Sequence, residues 1–113
     1  MTEYEFKGKH YLSSYRECKE YDNNDLIATV HGAVITSGAT IVEFSSHTFV
    51  GGGITFVFLL SESHCTVHTY PEHRAMFVDY FTCGNSCDHR LFHEAMIDYL
   101  QPTKVSAELI LRQ

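Results

Sequence analysis

The residues best suited to chemistry lie close together, in the stretch from Leu60 to Gly84. A turn at Glu62, Ser63 and His64 comes shortly after the most apolar run of the chain. His68 follows close behind, and Cys83 stands at the end of the next strand candidate. If these runs are paired strands, a hydroxyl, an imidazole, a carboxylate and a thiol share one compact region. Such groups are the components of nucleophilic and acid–base catalysis.

Each of these residues has an ordinary structural explanation when it is taken alone. Ser63 fits a turn, because serine bonds readily to nearby backbone. His68 fits a half-buried core histidine, and Cys83 fits a small buried hydrophobe. The combination, rather than any single residue, indicates a functional site.

The hydrophobic pattern predicts the elements that must position these residues. We expect strands over residues 7–18, 39–49, 54–60, 64–70, 77–83 and 105–111. The cluster Asn23-Asn24-Asp25 begins a first helix that stops at Gly38, and Asp88 caps a second helix that ends before Pro102. This order predicts a two-layer α+β sandwich, in which two helices cover one face of a mainly antiparallel sheet. We expect the run Ile54–Leu60 to be buried on both faces or nearly so.

Composition narrows the class of protein. A length of 113 residues predicts a single domain. The net charge of −6, with only 8 Lys and Arg, argues against a nucleic-acid partner. Residues 1–10 lack the apolar core of a signal peptide, and no run reaches the length of a membrane span, so we expect no membrane partner and a cytoplasmic location. The 4 cysteines are then interpreted as thiols rather than disulfides.

Two sequence runs resemble a known family. SESHCTVHTYPE, at residues 61–72, and VDYFTCG, at residues 78–84, closely resemble the signature of the pyruvoyl-dependent S-adenosylmethionine decarboxylases of bacteria and archaea. Weaker agreement at residues 8–10, 37–40 and 47–49 extends the resemblance over nearly the whole chain.

The resemblance implies a precursor that cuts its own backbone. The Ser63 hydroxyl would attack the carbonyl carbon of Glu62 and divide the domain into chains 1–62 and 63–113. Ser63 would become a covalent pyruvoyl group, the cofactor of decarboxylation, which takes up the electrons left at the substrate α-carbon. The implied product, decarboxylated S-adenosylmethionine, is an aminopropyl donor for spermidine and other polyamines. The family also implies a homodimer of cleaved protomers.

The resemblance assigns further roles in processing and catalysis. His68 matches the histidine that supports self-cleavage, and imidazole suits proton transfer near neutral pH. Thr55 matches a hydroxyl that can hydrogen-bond the oxyanion of the acyl shift. Cys83 matches the catalytic acid that returns a proton to the substrate.

Three further positions are implied to bind the substrate, a small amino-acid derivative. Phe49 aligns with a ring that stacks on adenine, Glu72 with a carboxylate that binds the ribose hydroxyls, and Tyr70 replaces the usual tryptophan. Gly51 stands where proline is frequent, and Phe56 where a small residue is usual, so that its ring could reshape the pocket. Some relatives with this machinery are thought to use ornithine or arginine instead, and these substrates remain the alternative.

Two hypotheses from other classes compete with this interpretation. A metal-binding module is suggested by His64 and His68, by Cys83 and Cys87, and by His89 and His93. The first pair would be roughly 13 Å apart along a strand, too far for one zinc ion. We interpret the last pair as part of a solvated helix face, and we expect no metal site.

The second competing hypothesis is a regulatory relative that no longer processes itself. The joint presence of Glu62, Ser63, His68 and Cys83 argues against it, because a chain relieved of catalysis need not keep all of them.

Overall fold

The sheet and helices follow the predicted order. The computed structural model describes residues 6–113. The strands are β1 (Gly8–Arg16), β2 (Ile41–Thr48), β3 (Ile54–Leu60), β4 (Ser63–Tyr70), β5 (Ala75–Cys83) and β6 (Lys104–Arg112). The helices are α1 (Asn23–Thr36) and α2 (His89–Leu100), and a short 3-10 helix covers Pro71–His73. Residues 1–5, which belong to the stretch considered for a signal peptide, lie outside the described residues.

All described strands form one sheet. The 6 strands lie in the order β2-β3-β4-β5-β1-β6, and each neighbouring pair is antiparallel. Buried side chains of both helices pack in the same core cluster as the buried face of this sheet. The predicted two-layer α+β sandwich, with both helices on one face, is therefore confirmed.

The helix termini follow from their capping residues. The Asp22 carboxylate accepts hydrogen bonds from the backbone N–H of Asn24 and Asp25, which begins α1 one residue before the predicted cluster. Beyond α1, Gly38 has a φ of 107°, a conformation that favours glycine and that ends the helix. The Asp88 carboxylate caps α2 as predicted, since it accepts from the Arg90 N–H at 2.9 Å.

The expectation that Ile54–Leu60 is buried on both faces is wrong. Ile54, Phe56, Phe58 and Leu60 are buried, whereas the alternate residues are half-buried or exposed, and Leu59 is 46% exposed. An antiparallel sheet with helices on only one side needs apolar residues at every second position. Here the remaining positions happen to be largely apolar as well.

The face of the sheet away from the helices, which we call the open face, carries the predicted chemistry. On β3, β4 and β5 the helix-facing residues alternate with Thr55, His68 and Cys83, all of which are half-buried. Among the described residues, no helix is long and apolar enough to cross a membrane.

Candidate active site

A tight turn positions the predicted cleavage site. Leu60 of β3 pairs with Ser63 of β4, so only Ser61 and Glu62 connect the two strands. On the other side of β4, Ser63 pairs with Thr82 of β5, which brings Cys83 beside the turn. The bond between Glu62 and Ser63 is therefore held at one end of the sheet by strand pairing.

Cys83 contacts both sides of this bond. Its backbone N–H donates a hydrogen bond to the carbonyl oxygen of Glu62 at 3.0 Å. Its Sγ lies 3.4 Å from the hydroxyl oxygen of Ser63. A donor on the Glu62 carbonyl polarises it in the direction that favours attack at the carbonyl carbon.

The backbone at Ser63 is unusual. Its φ of 155° lies in a region that residues with a side chain rarely adopt. Strained conformations of this kind cost on the order of 1–3 kcal/mol and persist where surrounding contacts hold them in place. The two strand pairings on either side of Ser63 provide such contacts.

Cys83 is also the most accessible thiol of the chain. Cys18, Cys65 and Cys87 are buried, whereas Cys83 is half-buried. Burial raises the pKa of the Cys65 and Cys87 thiols, and it raises the pKa of Cys18 to about 11. These three thiols therefore behave as small core residues.

A second pair of functional groups lies at the other end of the open face. Thr55 of β3 and His68 of β4 are direct cross-strand partners. The Thr55 hydroxyl oxygen and His68 Nδ1 are 3.1 Å apart. This hydrogen bond orients the imidazole ring.

Five predicted residues line one pocket around this pair. The pocket has a volume of about 350 Å³, and its lining includes Phe49, Thr55, His68, Tyr70 and Glu72. Tyr70 packs against Phe77, with 5.2 Å between the ring centroids. These five predicted residues are thus neighbours in space, although they come from three separate segments of the chain: the loop after β2, β3, and β4 with the 3-10 helix that follows it.

Gly51 shapes the loop that carries Phe49. The φ of Gly51 is 100°, which a proline at this position could not adopt, because its ring fixes φ near −65°. The loop closes through bonds from the Phe49 N–H to the Gly53 carbonyl at 2.7 Å and from the Gly52 N–H to the Phe49 carbonyl at 3.1 Å. Phe49 remains 51% exposed at the mouth of the pocket.

Phe56 does not reach the pocket. It is 1% exposed and packs in the core under the helices, on the face of β3 opposite to Thr55. The expectation that its ring could reshape the substrate pocket is therefore wrong.

The expectation of one compact catalytic region is also wrong within a single chain. His68 stands five positions after Ser63 on the same strand, and five positions of a strand span roughly 16 Å. Glu62, Ser63 and Cys83 form one half of the predicted set, which we call the cleavage half. Thr55 and His68 form the other, the histidine half. A separate pocket of about 360 Å³ borders Cys83.

The interpretation of His89 and His93 as a solvated helix face is wrong too. His89 is 6% exposed and its Nε2 lies 3.3 Å from the Thr82 hydroxyl. His93 Nδ1 hydrogen-bonds Tyr11 and lies 2.9 Å from the Tyr15 hydroxyl. Both rings therefore lie between α2 and the sheet, where they bond to sheet residues. Within residues 6–113, no three His, Cys, Asp or Glu residues are grouped so that they could hold a metal ion.

The sequence interpretation missed the backbone groups of the site. Within one chain the Cys83 N–H is the donor on the Glu62 carbonyl, while oxyanion binding by Thr55 stays a prediction. The sequence interpretation also missed Thr40, whose N–H donates to Glu62 Oε1 at 3.0 Å. A backbone donor has no signature in the sequence, because its position depends on strand register.

Comparison with known proteins identifies the family. The sequence model of the S-adenosylmethionine decarboxylase family matches residues 9–113. The chain belongs to this family. The predicted resemblance is thereby confirmed.

Similar proteins carry matching names. A Thermotoga petrophila protein is 40% identical over 84 residues, which are 72% of this chain and 65% of that protein. A Pyrobaculum aerophilum protein is 32% identical over 102 residues, which are 87% of this chain and 82% of that protein. Both are named S-adenosylmethionine decarboxylase proenzyme. The match to the Thermotoga protein spans just under two thirds of its length.

A solved structure has the same fold. The crystal structure of the adenosylmethionine decarboxylase from Aquifex aeolicus VF5 superposes with a TM-score of 0.81 at 28% sequence identity. The superposition covers 91% of this chain and 88% of that one.

Proposed function

We propose that this chain is the precursor of a decarboxylase that acts on S-adenosylmethionine and that cuts itself between Glu62 and Ser63. One set of contacts carries the proposal. The Cys83 N–H bonds the Glu62 carbonyl oxygen at 3.0 Å, and the Cys83 thiol lies 3.4 Å from the Ser63 hydroxyl. The family and the names of the relatives support it.

Self-cleavage begins with an acyl shift. The Ser63 hydroxyl oxygen attacks the carbonyl carbon of Glu62 while a base takes the hydroxyl proton. Negative charge then develops on the Glu62 oxygen, where the Cys83 N–H stabilises it. The C–N bond breaks, the Ser63 nitrogen takes up a proton and becomes a free amine, and an ester links Glu62 to the Ser63 oxygen.

Elimination completes the cleavage. A base removes the α-proton of residue 63, and the Glu62 carboxylate leaves from the β-carbon, which produces dehydroalanine. Tautomerisation, addition of water and loss of ammonia leave a pyruvoyl group at residue 63. The products are chain 1–62, ending in the Glu62 carboxylate, and chain 63–113.

The surroundings of residue 63 fit this group. The residue is half-buried at the start of β4, where strands on both sides hold it. A pyruvoyl group supplies an electron-poor carbonyl, which takes up the electron pair that remains when carbon dioxide leaves. The neighbouring Cys83 thiol holds the proton that the substrate α-carbon then requires.

The pocket of the histidine half supports S-adenosylmethionine as the substrate. Phe49 and Tyr70 offer aromatic surfaces to adenine, and Glu72 offers a carboxylate to the ribose hydroxyls. Ornithine and arginine have no ring to stack on these surfaces. Phe56, one of the differences from the family pattern that kept those substrates open, is buried in the core and therefore gives them no support.

A complete site requires two chains. Cys83 of the cleavage half and the Thr55–His68 pair lie toward opposite ends of the same open face, and Ser63, which Cys83 contacts, is roughly 16 Å from His68 along β4. In a two-fold dimer each surface meets the complementary surface of its partner. Face-to-face packing of two open faces can therefore bring the cleavage half of one chain against the histidine half of the other. Burial of Leu59, Phe77 and Ile110, which are 39–46% exposed on this face, favours the association.

We assign the reaction to polyamine biosynthesis, because decarboxylated S-adenosylmethionine is an aminopropyl donor. We also propose a cytoplasmic location. All four cysteines are free thiols, as is usual in a reducing compartment.

Intact-mass measurement and carbon dioxide release test the proposal. We expect two chains, 1–62 and 63–113, with the second lighter by one ammonia than a chain beginning with serine. Ser63→Ala protein is the control and should stay whole. Radiolabelled carbon dioxide should be released from carboxyl-labelled S-adenosylmethionine. A full-length chain that persists on long incubation contradicts self-cleavage, and release only from ornithine or arginine contradicts the substrate.

A further inference from the structure

Glu62, the residue before the cleaved bond, is hydrogen-bonded through both its side chain and its main-chain carbonyl. The Glu62 side-chain Oε1 accepts a hydrogen bond from the Thr40 N–H at 3.0 Å, and its main-chain oxygen accepts from the Cys83 N–H at 3.0 Å. The adjacent Ser61 N–H donates to the Thr40 carbonyl, also at 3.0 Å. The turn is thus tied to the segment before β2 on one side and to the end of β5 on the other.

These three hydrogen bonds oppose a motion that would bring the φ angle of Ser63 to a more common value. Rotation of the peptide plane between Glu62 and Ser63 is one motion that would relax this φ of 155°. That rotation would turn the Glu62 carbonyl away from the Cys83 N–H. On the β2 side, the bond from the Thr40 N–H to the Glu62 side chain acts together with the bond from the Ser61 N–H to the Thr40 carbonyl, and it is the one of the two that holds residue 62 itself.

We propose that the Glu62 side chain is a positioning residue for self-cleavage, which anchors the turn to Thr40 and so keeps the Glu62 carbonyl aligned with the Cys83 N–H and the Ser63 hydroxyl. This inference rests on the proposed function. The side chain takes no proton and forms no covalent bond in the reaction. It raises the fraction of precursor in which the reacting atoms are aligned.

The rate of self-cleavage in freshly translated protein tests the role. Glu62→Ala removes the acceptor of the Thr40 bond, and we expect cleavage to slow about tenfold, the effect of losing one hydrogen bond to a charged group. Glu62→Gln keeps an oxygen at the same position, and we expect a rate within about twofold of the wild type, since the anchoring bond is kept. Glu94→Ala, which removes an exposed carboxylate on α2 that binds Arg90, is the matched control and should cleave normally.

Thermal unfolding separates positioning from a general structural role. We expect Glu62→Ala in a Ser63→Ala background to melt within a few degrees of Ser63→Ala alone, because the lost bond is at the surface. Normal cleavage of Glu62→Ala overturns the inference. A Gln variant as slow as the Ala variant also overturns it, because charge rather than anchoring would then matter. If the wild-type chain never cleaves, the proposed function itself fails, and this inference fails with it.

Discussion

Thr55 and His68 form a hydrogen-bonded pair, with 3.1 Å between the hydroxyl oxygen and Nδ1, and the pair is separated from Ser63 by most of the length of β4. Both groups face the open side of the sheet, the side on which the proposed dimer places a second chain. The division of the site between two ends of a single face leads to the first prediction.

Two inactive chains should restore activity when they are combined. In a mixed dimer of Ser63→Ala and His68→Ala, one composite site contains a native Ser63 and a native His68. With random pairing, half of the dimers are mixed and each has one good site, so we expect roughly a quarter of the wild-type decarboxylation. Co-expression with two different affinity tags, followed by a carbon dioxide assay, measures this.

The matched control combines Ser63→Ala with Cys83→Ala. Both changes fall in the cleavage half, so every composite site of that mixture lacks one of the two groups. We expect no restoration. Equal recovery in both mixtures, or in neither, would contradict a site shared between chains.

Cys83 should serve cleavage and decarboxylation through different atoms. Its backbone N–H bonds the Glu62 carbonyl, and any residue except proline keeps that donor. We therefore expect Cys83→Ala to cleave itself at a rate near that of the wild type while its decarboxylation falls at least 100-fold, on the order of the contribution of a general acid.

Intact mass and carbon dioxide release measure the two activities of the Cys83→Ala protein separately. Cys87→Ala, which changes a buried thiol elsewhere, should retain both. A Cys83→Ala chain that stays whole would mean that the thiol itself is required for cleavage.

Glu72 should act on substrate binding. Its carboxylate lines the pocket with Phe49 and Tyr70, where it can accept two hydroxyl hydrogen bonds. We expect Glu72→Gln to raise KM for S-adenosylmethionine about tenfold with little change in kcat, because the ribose contacts are the same in the ground state and the transition state. His73→Gln, in the same 3-10 helix, is the control. A fall in kcat at unchanged KM would place Glu72 in the chemical step instead.

Phe56 should influence stability and leave specificity unchanged. It is fully buried, and we expect Phe56→Leu to lower the free energy of unfolding by about 1 kcal/mol through imperfect repacking. The KM values for S-adenosylmethionine and ornithine should stay unchanged. Urea unfolding and steady-state kinetics on the same preparation measure both effects. A shift of substrate preference toward ornithine would revive the hypothesis that Phe56 shapes the pocket.

Periodicity and caps were sufficient to predict the elements. The bounds of β3 were predicted without error, because Gly53 and Ser61 flank a continuous apolar run. Asp88 could be predicted as the cap of α2, because an aspartate before an amphipathic run commonly accepts hydrogen bonds from the free N–H groups of the first helical turn. The same periodicity failed for His89 and His93, because the buried face of α2 includes polar groups that bond to Thr82 and Tyr15.

The site was predictable in its residues but not in its arrangement. Pairing of Ser63 with Thr82, which aligns the Cys83 N–H with the Glu62 carbonyl, depends on strand register. A shift of the pairing between β4 and β5 by one residue would leave the local sequence of each strand unchanged. It would nevertheless turn each side chain to the other face of the sheet. The separation of Ser63 from His68, by contrast, was present in the sequence as five positions of a strand.

Acid should destabilise the fold through His89. Burial is the main cause that lowers its pKa from the ordinary value of 6.5 to about 4, with a smaller effect from Lys9, while Asp88 opposes the shift. The unfolded chain therefore binds a proton at His89 more readily than the folded chain does. Its contribution to stability is complete above pH 6.5, is lost progressively as the pH falls toward 4, and changes no further below that. Burial also lowers the pKa of His93, which acts in the same direction.

Urea unfolding of the uncleaved Ser63→Ala chain between pH 7.5 and pH 4.5, at one protein concentration, measures this loss. We expect His89→Leu to remove about 2 kcal/mol of the pH dependence, although it lowers stability at neutral pH because the Thr82 hydroxyl loses its partner. His31→Gln, at an exposed position of α1, should keep the parental pH dependence. If His89→Leu and its parent lose stability equally on acidification, another group is responsible for the acid sensitivity.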